Sequence, residues 1–163
     1  MSIGTQLFRD TMALFPGAVT IITTGSGDLR RGITATAVCS VTDSPPSLLV
    51  CANTRTGTCA EIDRSGRFSV QLLAAHQMDV AMTFAGAGGA SGDDKFASGS
   101  WTACPAGLPR LIGSLASISC RVTTRSEAGT HKVFIGAIED VSLGDGDALV
   151  YAQSAFRTLA AVA

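Results

Sequence analysis

Small hydroxyl residues recur at even positions in the segment from residue 32 to residue 50. Thr34, Thr36, Ser40 and Thr42 stand at even positions, and the odd positions beside them carry Ile, Ala, Cys and Val. Side chains of an extended chain alternate between two faces, so the hydroxyls are expected on one face. The pattern predicts a strand that a flat polar ligand can approach closely. Because threonine favours strands in general, an ordinary half-buried strand is the alternative.

A second group of polar residues follows the next predicted strand and precedes a predicted helix. Asn53, Thr56 and Thr58 supply a carboxamide and two hydroxyls, and Arg55 between them adds positive charge. With the free N–H groups of a helix start, these groups can bind a phosphate. Taken alone, the pattern is also consistent with Thr56 or Thr58 acting as a plain helix N-cap.

Composition limits the classes of partner. The chain has 163 residues, is 46% hydrophobic and carries a formal net charge of −1, so we expect one packed domain over residues 1–163 that binds neither nucleic acid nor a membrane surface. Arg9 and Asp10 precede any long apolar stretch, unlike a signal peptide, which favours a cytoplasmic protein. The cysteines are odd in number and lack a Cys-x-x-Cys pair, so neither disulfides nor a metal site is expected: Cys39, Cys51, Cys59, Cys104 and Cys120.

The elements that must position these groups are mostly strands. Helices are predicted at residues 5–15, 58–64 and 76–84, and strands at 19–24, 31–42, 47–51, 68–73, 115–124, 131–143 and 148–151. Residues 25–28 predict a hairpin turn, and residues 85–100 a long loop. The glycines of that loop follow a helix, so they do not form a dinucleotide fingerprint. Many strands with little βα alternation predict a mainly β fold, a closed or nearly closed barrel with a few short flanking helices.

The sequence resembles the short-chain flavin reductases that supply two-component monooxygenases. Residues 32–51, beginning Gly-Ile-Thr-Ala-Thr-Ala-Val-Cys-Ser, match their flavin-binding strand. Weaker matches occur in the same order along the chain: Phe8-Arg9-Asp10-Thr11-Met12, Ala18-Val19-Thr20-Ile21-Ile22-Thr23-Thr24, Gly113-Ser114-Leu115-Ala116-Ser117, Gly129-Thr130-His131 and Leu149-Val150-Tyr151. The resemblance implies an FMN-binding split β-barrel of Greek-key topology.

The resemblance also implies roles for individual residues. The flavin ring is expected along Thr34, Ala35, Thr36 and Ala37, with Ser40 further along. Cys51 and Ala52, which end the next strand, join the cofactor-binding set, and Asn53, Thr56 and Thr58 are expected at the flavin phosphate. Thr56 replaces the serine of the commoner Asn-x-x-Ser-x-Thr form and keeps the hydroxyl. Lys95 and Phe96 match a Lys-Phe pair that can neutralise phosphate and pack near the cofactor; a solvated lysine beside a core phenylalanine is the alternative.

His131 matches a Gly-x-His that reaches toward nicotinamide and flavin, and it is therefore the predicted catalytic contact. The function implied is an NAD(P)H-dependent flavin reductase, a homodimer that uses FMN or FAD with NADH, or NADPH, as hydride donor and passes diffusible reduced flavin to a separate oxygenase. Two alternatives stay open: a flavin-dependent cobalt-corrin reductase on the same fold, and a flavin-binding storage or sensor protein without turnover.

Overall fold

The computed structural model describes residues 2–162. Its α-helices are α1 (Thr5–Ala13), α2 (Gly57–Ser65) and α3 (Met78–Phe84). Its strands are β1 (Gly17–Ala18), β2 (Thr20–Thr24), β3 (Arg31–Ala35), β4 (Val38–Asp43), β5 (Pro46–Asn53), β6 (Arg67–Leu72), β7 (Trp101–Ala103), β8 (Pro109–Leu111), β9 (Ala116–Ala128), β10 (His131–Leu143), β11 (Leu149–Ala152) and β12 (Ala155–Thr158). No helix in residues 2–162 has the length and apolar character needed to cross a membrane.

The main sheet has seven strands in the order β3-β2-β6-β9-β10-β5-β4, and every neighbouring pair is antiparallel. Its outer strands β3 and β4 are consecutive in the chain, with only Thr36 and Ala37 between them. The sheet must therefore curl until its two edges meet at this link, although no ladder pairs β3 with β4 within residues 2–162. A curled antiparallel sheet with one open seam is a split barrel, so the predicted mainly β fold is confirmed.

The single strand predicted over residues 31–42 is wrong, because the chain breaks at the seam. β3 pairs with β2, whereas β4 pairs with β5 at the opposite edge of the sheet. Val38 N–H donates to the Thr36 carbonyl at 3.0 Å, and Cys51 N–H donates to the Ala37 carbonyl at 3.1 Å, so the link turns tightly. The hydroxyls expected on one face are consequently divided between two strands.

Strand β2 is buried on both faces. Ile22 packs in one hydrophobic cluster with Phe68, Phe134 and the α2 residue Ile62, all fully buried. Its neighbour Ile21 packs in a second cluster around α3, which includes Leu73, Phe84 and Phe96. Successive strand residues point to opposite faces, so the Ile-Ile pair anchors β2 between the barrel interior and the outer helix. The Gly25 hairpin that follows is confirmed as the β2–β3 connection.

Helix α1 forms near its predicted position but buries none of its residues. Leu7, Phe8 and Met12 are 59%, 51% and 44% exposed. The helix is therefore apolar along a face that no other part of residues 2–162 covers.

Several short elements were not predicted. The strands β1, β7, β8 and β12 have four residues or fewer, too short for a periodic pattern to mark them. The loop at residues 85–100 contains two short 3₁₀ helices, Ala87–Gly89 and Gly92–Ala97, and the second of these positions Lys95 and Phe96.

Candidate functional site

A cavity of about 350 Å³ lies across the open seam of the barrel. We call it the seam cavity. The end of β3 and the link form one wall, and the end of β5, the start of α2 and the first residue of β10 form the other. His131 stands opposite Asn53 in the β10–β5 ladder, which brings residues far apart in sequence to the same place. The cavity is lined by Ile33, Thr34, Ala35, Thr36, Ala37, Cys51, Asn53, Thr56 and His131.

The hydroxyls along β3 differ in what they can still bind. Thr34 Oγ1 donates to the Ala81 carbonyl of α3 at 2.5 Å, so its proton is already used. The Ala35 carbonyl accepts from Thr20 Oγ1 at 2.6 Å. Thr36 is exposed, and its hydroxyl has no hydrogen-bond partner in the part of the chain that the structure describes. Thr36 is therefore the side chain best placed to donate to a ligand here.

Two further residues complete the polar rim. His131 is exposed, and its Nδ1 lies 2.9 Å from Thr130 Oγ1. Cys51 is half-buried; burial, and then the neighbouring Cys39, raise the pKa of its thiol. A thiol with a raised pKa stays protonated near neutrality and contributes a small, uncharged wall.

A second cavity, of about 290 Å³, continues from the first. We call it the basic cavity, and it shares Ile33 and Thr56 with the seam cavity. Thr56 is the N-cap of α2: its Oγ1 accepts from Cys59 N–H at 3.1 Å and donates to the Asn53 carbonyl at 2.8 Å. The N-cap alternative thus holds for Thr56. The basic cavity is lined by Arg31, Gly32, Ile33, Thr56, Gly57, Thr58, Ala90, Ser91, Gly92 and Lys95.

Two cations in the basic cavity lack acidic partners within residues 2–162. Lys95 Nζ donates to the carbonyls of Gly32 at 3.3 Å and Phe84 at 3.0 Å, and desolvation by burial lowers the pKa of its ammonium. Arg31 Nη1 donates to the carbonyls of Asp28 at 2.9 Å and Arg30 at 2.6 Å. Neither cation forms an ion pair with a carboxylate in the described residues, although Arg31 lies close enough to Glu61 and Asp93 to help lower the pKa of both.

Acidic groups near this cavity are already paired. Asp93 binds Arg30 at 2.7 Å, and Glu61 binds Arg64 at 2.6 Å. The hydrogen bond to Arg30 lowers the pKa of Asp93, and the hydrogen bond to Arg64 lowers that of Glu61, so both are ionised and occupied near neutrality. The basic cavity thus holds two cations that form no ion pair in the described residues, next to carboxylates whose charge is balanced by Arg30 and Arg64. Such a cavity is suited to bind an anion.

Gly32 allows β3 to approach α3 closely. A Cβ at this position would lie 2.5 Å from Phe84 Cε1 and 2.8 Å from Phe84 Cδ1. Because Phe84 is buried, the ring has little room to move. The glycine therefore sets the position of β3, which carries the walls of both cavities.

Sequence reasoning missed Arg31. It assigned the charge to Arg55, which is exposed and lines neither cavity. The only signal for Arg31 was its place in the predicted strand over residues 31–42, which also held the Thr34 and Thr36 hydroxyls.

The structure places five predicted cofactor residues away from the seam cavity, and one of them, Lys95, lines the basic cavity as described above. Thr58 is buried and lines the basic cavity instead. Ala52 is fully buried in the barrel core, because it alternates with Cys51 along β5. Ser40 follows the strand break, is exposed, and lines a separate cavity. Phe96 lies in the outer core, packed edge-on against Phe84 with 5.0 Å between ring centroids, so it lines neither the seam nor the basic cavity.

Comparison with known proteins shows which family this chain resembles. The model of the flavin reductase-like domain family matches residues 12–160. The 4-hydroxyphenylacetate 3-monooxygenase reductase component of Pseudomonas aeruginosa is 41% identical over 94% of this chain and 91% of its own length. The FMN reductase (NADH) RutF of Methylorubrum extorquens is 39% identical over 93% of this chain and 74% of its own length.

Solved structures give the same result. The flavin reductase PheA2 superposes with a TM-score of 0.88 at 31% identity, covering 98% of this chain and 100% of PheA2. The resemblance seen in the sequence is thereby confirmed across nearly the whole chain. With a split barrel, a seam cavity that small residues line and an adjoining basic cavity, this chain belongs to the flavin reductase-like family.

Proposed function

We propose that this protein is an NADH-dependent flavin reductase that supplies reduced flavin to a separate oxygenase. One observation carries the proposal: the seam cavity, lined by backbone and small residues, opens into a basic cavity whose Arg31 and Lys95 have no acidic partner in residues 2–162. A flavin nucleotide has the matching chemistry, a flat polar ring at one end and a phosphate at the other. The relatives' names, an NADH-dependent FMN reductase and a monooxygenase reductase component, support the same assignment.

The residues present fit such a ligand. Ala35 and Ala37 keep the edge of the sheet approachable, and Thr36 offers a free hydroxyl beside them. The first N–H groups of a helix lack partners within the helix, so α2 offers those of Gly57 and Thr58 to a phosphate along with the two cations. We assign the ring to the seam cavity and the phosphate to the basic cavity. Both FMN and FAD carry a phosphate at that position.

Hydride transfer between two stacked rings requires little chemical participation by side chains. A bound flavin would supply the hydride acceptor: the C4–H bond of a dihydronicotinamide breaks and its hydride joins flavin N5. The protein must hold two flat rings about 3–3.5 Å apart and exclude water, which needs no acid or base at the reacting carbon. We assign this orienting role to the backbone of residues 34–37. His131, at the exposed rim, is proposed as a contact of the incoming donor.

A second copy of the chain is proposed to cover α1. Leu7, Phe8 and Met12 of α1, with Leu14 and Phe15 just beyond it, are all between 44% and 67% exposed. An apolar face of this extent is typical of a subunit interface. We therefore propose a homodimer, in one domain over residues 1–163. We place the reaction in the cytoplasm because NADH is available there.

Steady-state oxidation of NADH tests the proposal. We expect turnover that requires added FMN or FAD and rises with their concentration, and release of reduced flavin that an added oxygenase can consume. Tight flavin binding without NADH oxidation would contradict the proposal and favour a storage protein. Turnover that requires a cobalt corrin as final acceptor would favour the corrin reductase instead.

A further inference from the structure

The glycine-rich loop after α3 supplies one wall of the basic cavity. Residues 86–91 connect the end of α3 to the 3₁₀ helix at Gly92–Ala97, and we call this segment the strap. Ala90 and Ser91 of the strap line the basic cavity, whereas β3 and the start of α2 supply other walls. The strap therefore borders the cavity to which we assign the flavin phosphate.

The two ends of the strap are fixed and lie close together. Lys95 Nζ, beyond the strap, donates to the carbonyl of Phe84, before the strap, at 3.0 Å. The buried rings of Phe84 and Phe96 pack edge-on, and Asp93 forms an ion pair with Arg30. A loop with such a base can move about a few backbone angles while the elements that it joins stay in place.

The span between these ends is held weakly. Within residues 2–162 it has one backbone hydrogen bond to a neighbouring element at each end: Gly86 N–H donates to the Thr83 carbonyl at 3.0 Å, and Asp94 N–H donates to the Ser91 carbonyl at 3.1 Å. No residue of the strap is buried. A segment with few packed contacts and an exposed backbone opens at a low cost in free energy.

The observed position of the strap depends on glycine. Gly88 and Gly89 have φ angles of 74° and 75°, and a Cβ at either residue would meet nothing within 4 Å. Glycine is therefore needed for the backbone conformation and not for space, since residues with a side chain rarely adopt a positive φ. An alanine at either position would disfavour the observed strap without a steric clash.

The strap also carries free hydrogen-bond donors. Ala90 and Ser91 line the basic cavity, and their backbone N–H groups have no hydrogen-bond partner in the part of the chain that the structure describes. Backbone N–H groups are strong donors, and a phosphate oxygen is a strong acceptor for them. A phosphate in this cavity would give the strap a reason to close that the free protein lacks.

We propose that the strap closes over the phosphate of bound FMN and opens to release the reduced flavin. This inference rests on the proposed function and deepens it, because it makes flavin an exchangeable substrate whose release the strap controls. A reductase that supplies a separate oxygenase must release its product, and opening of a loop often sets the rate of that step. Riboflavin, which lacks the phosphate, should not be subject to this control.

Gly88→Ala tests the proposal, and Gly107→Ala is its matched control. Gly107 also has a positive φ, 79°, and open space for a Cβ, but it lies in the β7–β8 turn and lines neither the seam cavity nor the basic cavity. We expect Gly88→Ala to raise the dissociation rate of FMN at least about threefold, because a left-handed conformation is unfavourable for alanine. The riboflavin rate should stay unchanged, and Gly107→Ala should alter neither rate. Stopped-flow fluorescence measures these rates, and anaerobic mixing extends them to reduced FMN. An unchanged FMN rate in Gly88→Ala, or an equal change in Gly107→Ala, would overturn the proposal.

Hydrogen exchange on the wild-type protein measures the closure without any substitution. The amides of residues 86–91 should exchange rapidly in the free protein, become protected at saturating FMN and stay unprotected at saturating riboflavin. Equal protection by both ligands, or no protection by bound FMN, would refute the proposal. Failure of the proposed function would appear separately, as wild-type protein that binds FMN but does not oxidise NADH.

Discussion

The seam cavity and the basic cavity are built in different ways. One wall of the seam cavity is a run of consecutive residues, 33–37, whose backbone and small side chains form a surface for a ring. The basic cavity collects Arg31 from β3, Gly57 and Thr58 from α2, and Lys95 from a 3₁₀ helix. The β3 wall of the seam cavity is thus a property of one segment, whereas the basic cavity exists only once three segments have packed together. Ring recognition should therefore depend on local shape, and phosphate recognition on charges that the fold assembles.

The largest expected effect comes from Gly32→Ala, which disturbs both regions at once. The new methyl would meet Phe84 Cε1 at 2.5 Å, so β3 must move or α3 must repack, at a cost of about 3 kcal/mol in the free energy of unfolding. Gly4→Ala is the control, because nothing lies within 4 Å of a Cβ there. Denaturant unfolding measures both. Equal stability of the two variants would mean that β3 does not depend on this contact.

Arg31→Gln distinguishes phosphate binding in the basic cavity from ring binding in the seam cavity. It removes a charge from the basic cavity only, so FMN binding should weaken by about 2 kcal/mol while riboflavin binding is unchanged. Arg55→Gln is the matched control, since Arg55 is an exposed arginine that lines neither cavity. Fluorescence titration with FMN and riboflavin gives the dissociation constants of both ligands for the wild type and the two variants. A larger loss in Arg55→Gln than in Arg31→Gln would restore the assignment made from the sequence.

Thr36→Val is the corresponding test of the seam cavity. Loss of the free hydroxyl should weaken FMN and riboflavin by the same amount, about 1 kcal/mol, because both carry the ring. Thr34→Val should instead lower stability, since Thr34 Oγ1 is bonded to the Ala81 carbonyl. If Thr36→Val affected FMN alone, the ring and phosphate assignments would have to be exchanged.

The smallest expected effect is a pH dependence from Lys95. Burial lowers the pKa of this lysine below its ordinary value of 10.5, and only its charged form attracts phosphate. The preference for FMN over riboflavin should therefore decline as the pH rises through this lowered pKa, and be fully present below it. The Lys95→Arg variant should keep the preference through the same alkaline range. An identical decline in wild type and Lys95→Arg would assign the titration to another group.

The two cavities also show what could be predicted from the sequence. Most residues of the seam cavity were identified because the family resemblance assigned Thr34 to Ala37, Cys51 and Asn53 to the cofactor; Ile33 was not among them. The strand break at Thr36 was not predicted, because it exists only when the sheet curls until its two edges meet. Arg31 was missed because its neighbours Gly57 and Gly92 are distant in sequence. Ala52 and Ser40 were also assigned to the cofactor site. Side-chain alternation along β5 instead turns Ala52 into the core, and the strand break places Ser40 at a different cavity.

A crystal structure with FMN bound tests the central claim most directly. The account predicts the ring along residues 34–37 and a phosphate oxygen about 3 Å from both the Arg31 guanidinium and Lys95 Nζ, beside the amides of Gly57 and Thr58. The isoalloxazine would then contact Thr36 but neither Ser40 nor Phe96. A phosphate beside Arg55, or a ring beside Ser40, would contradict the account.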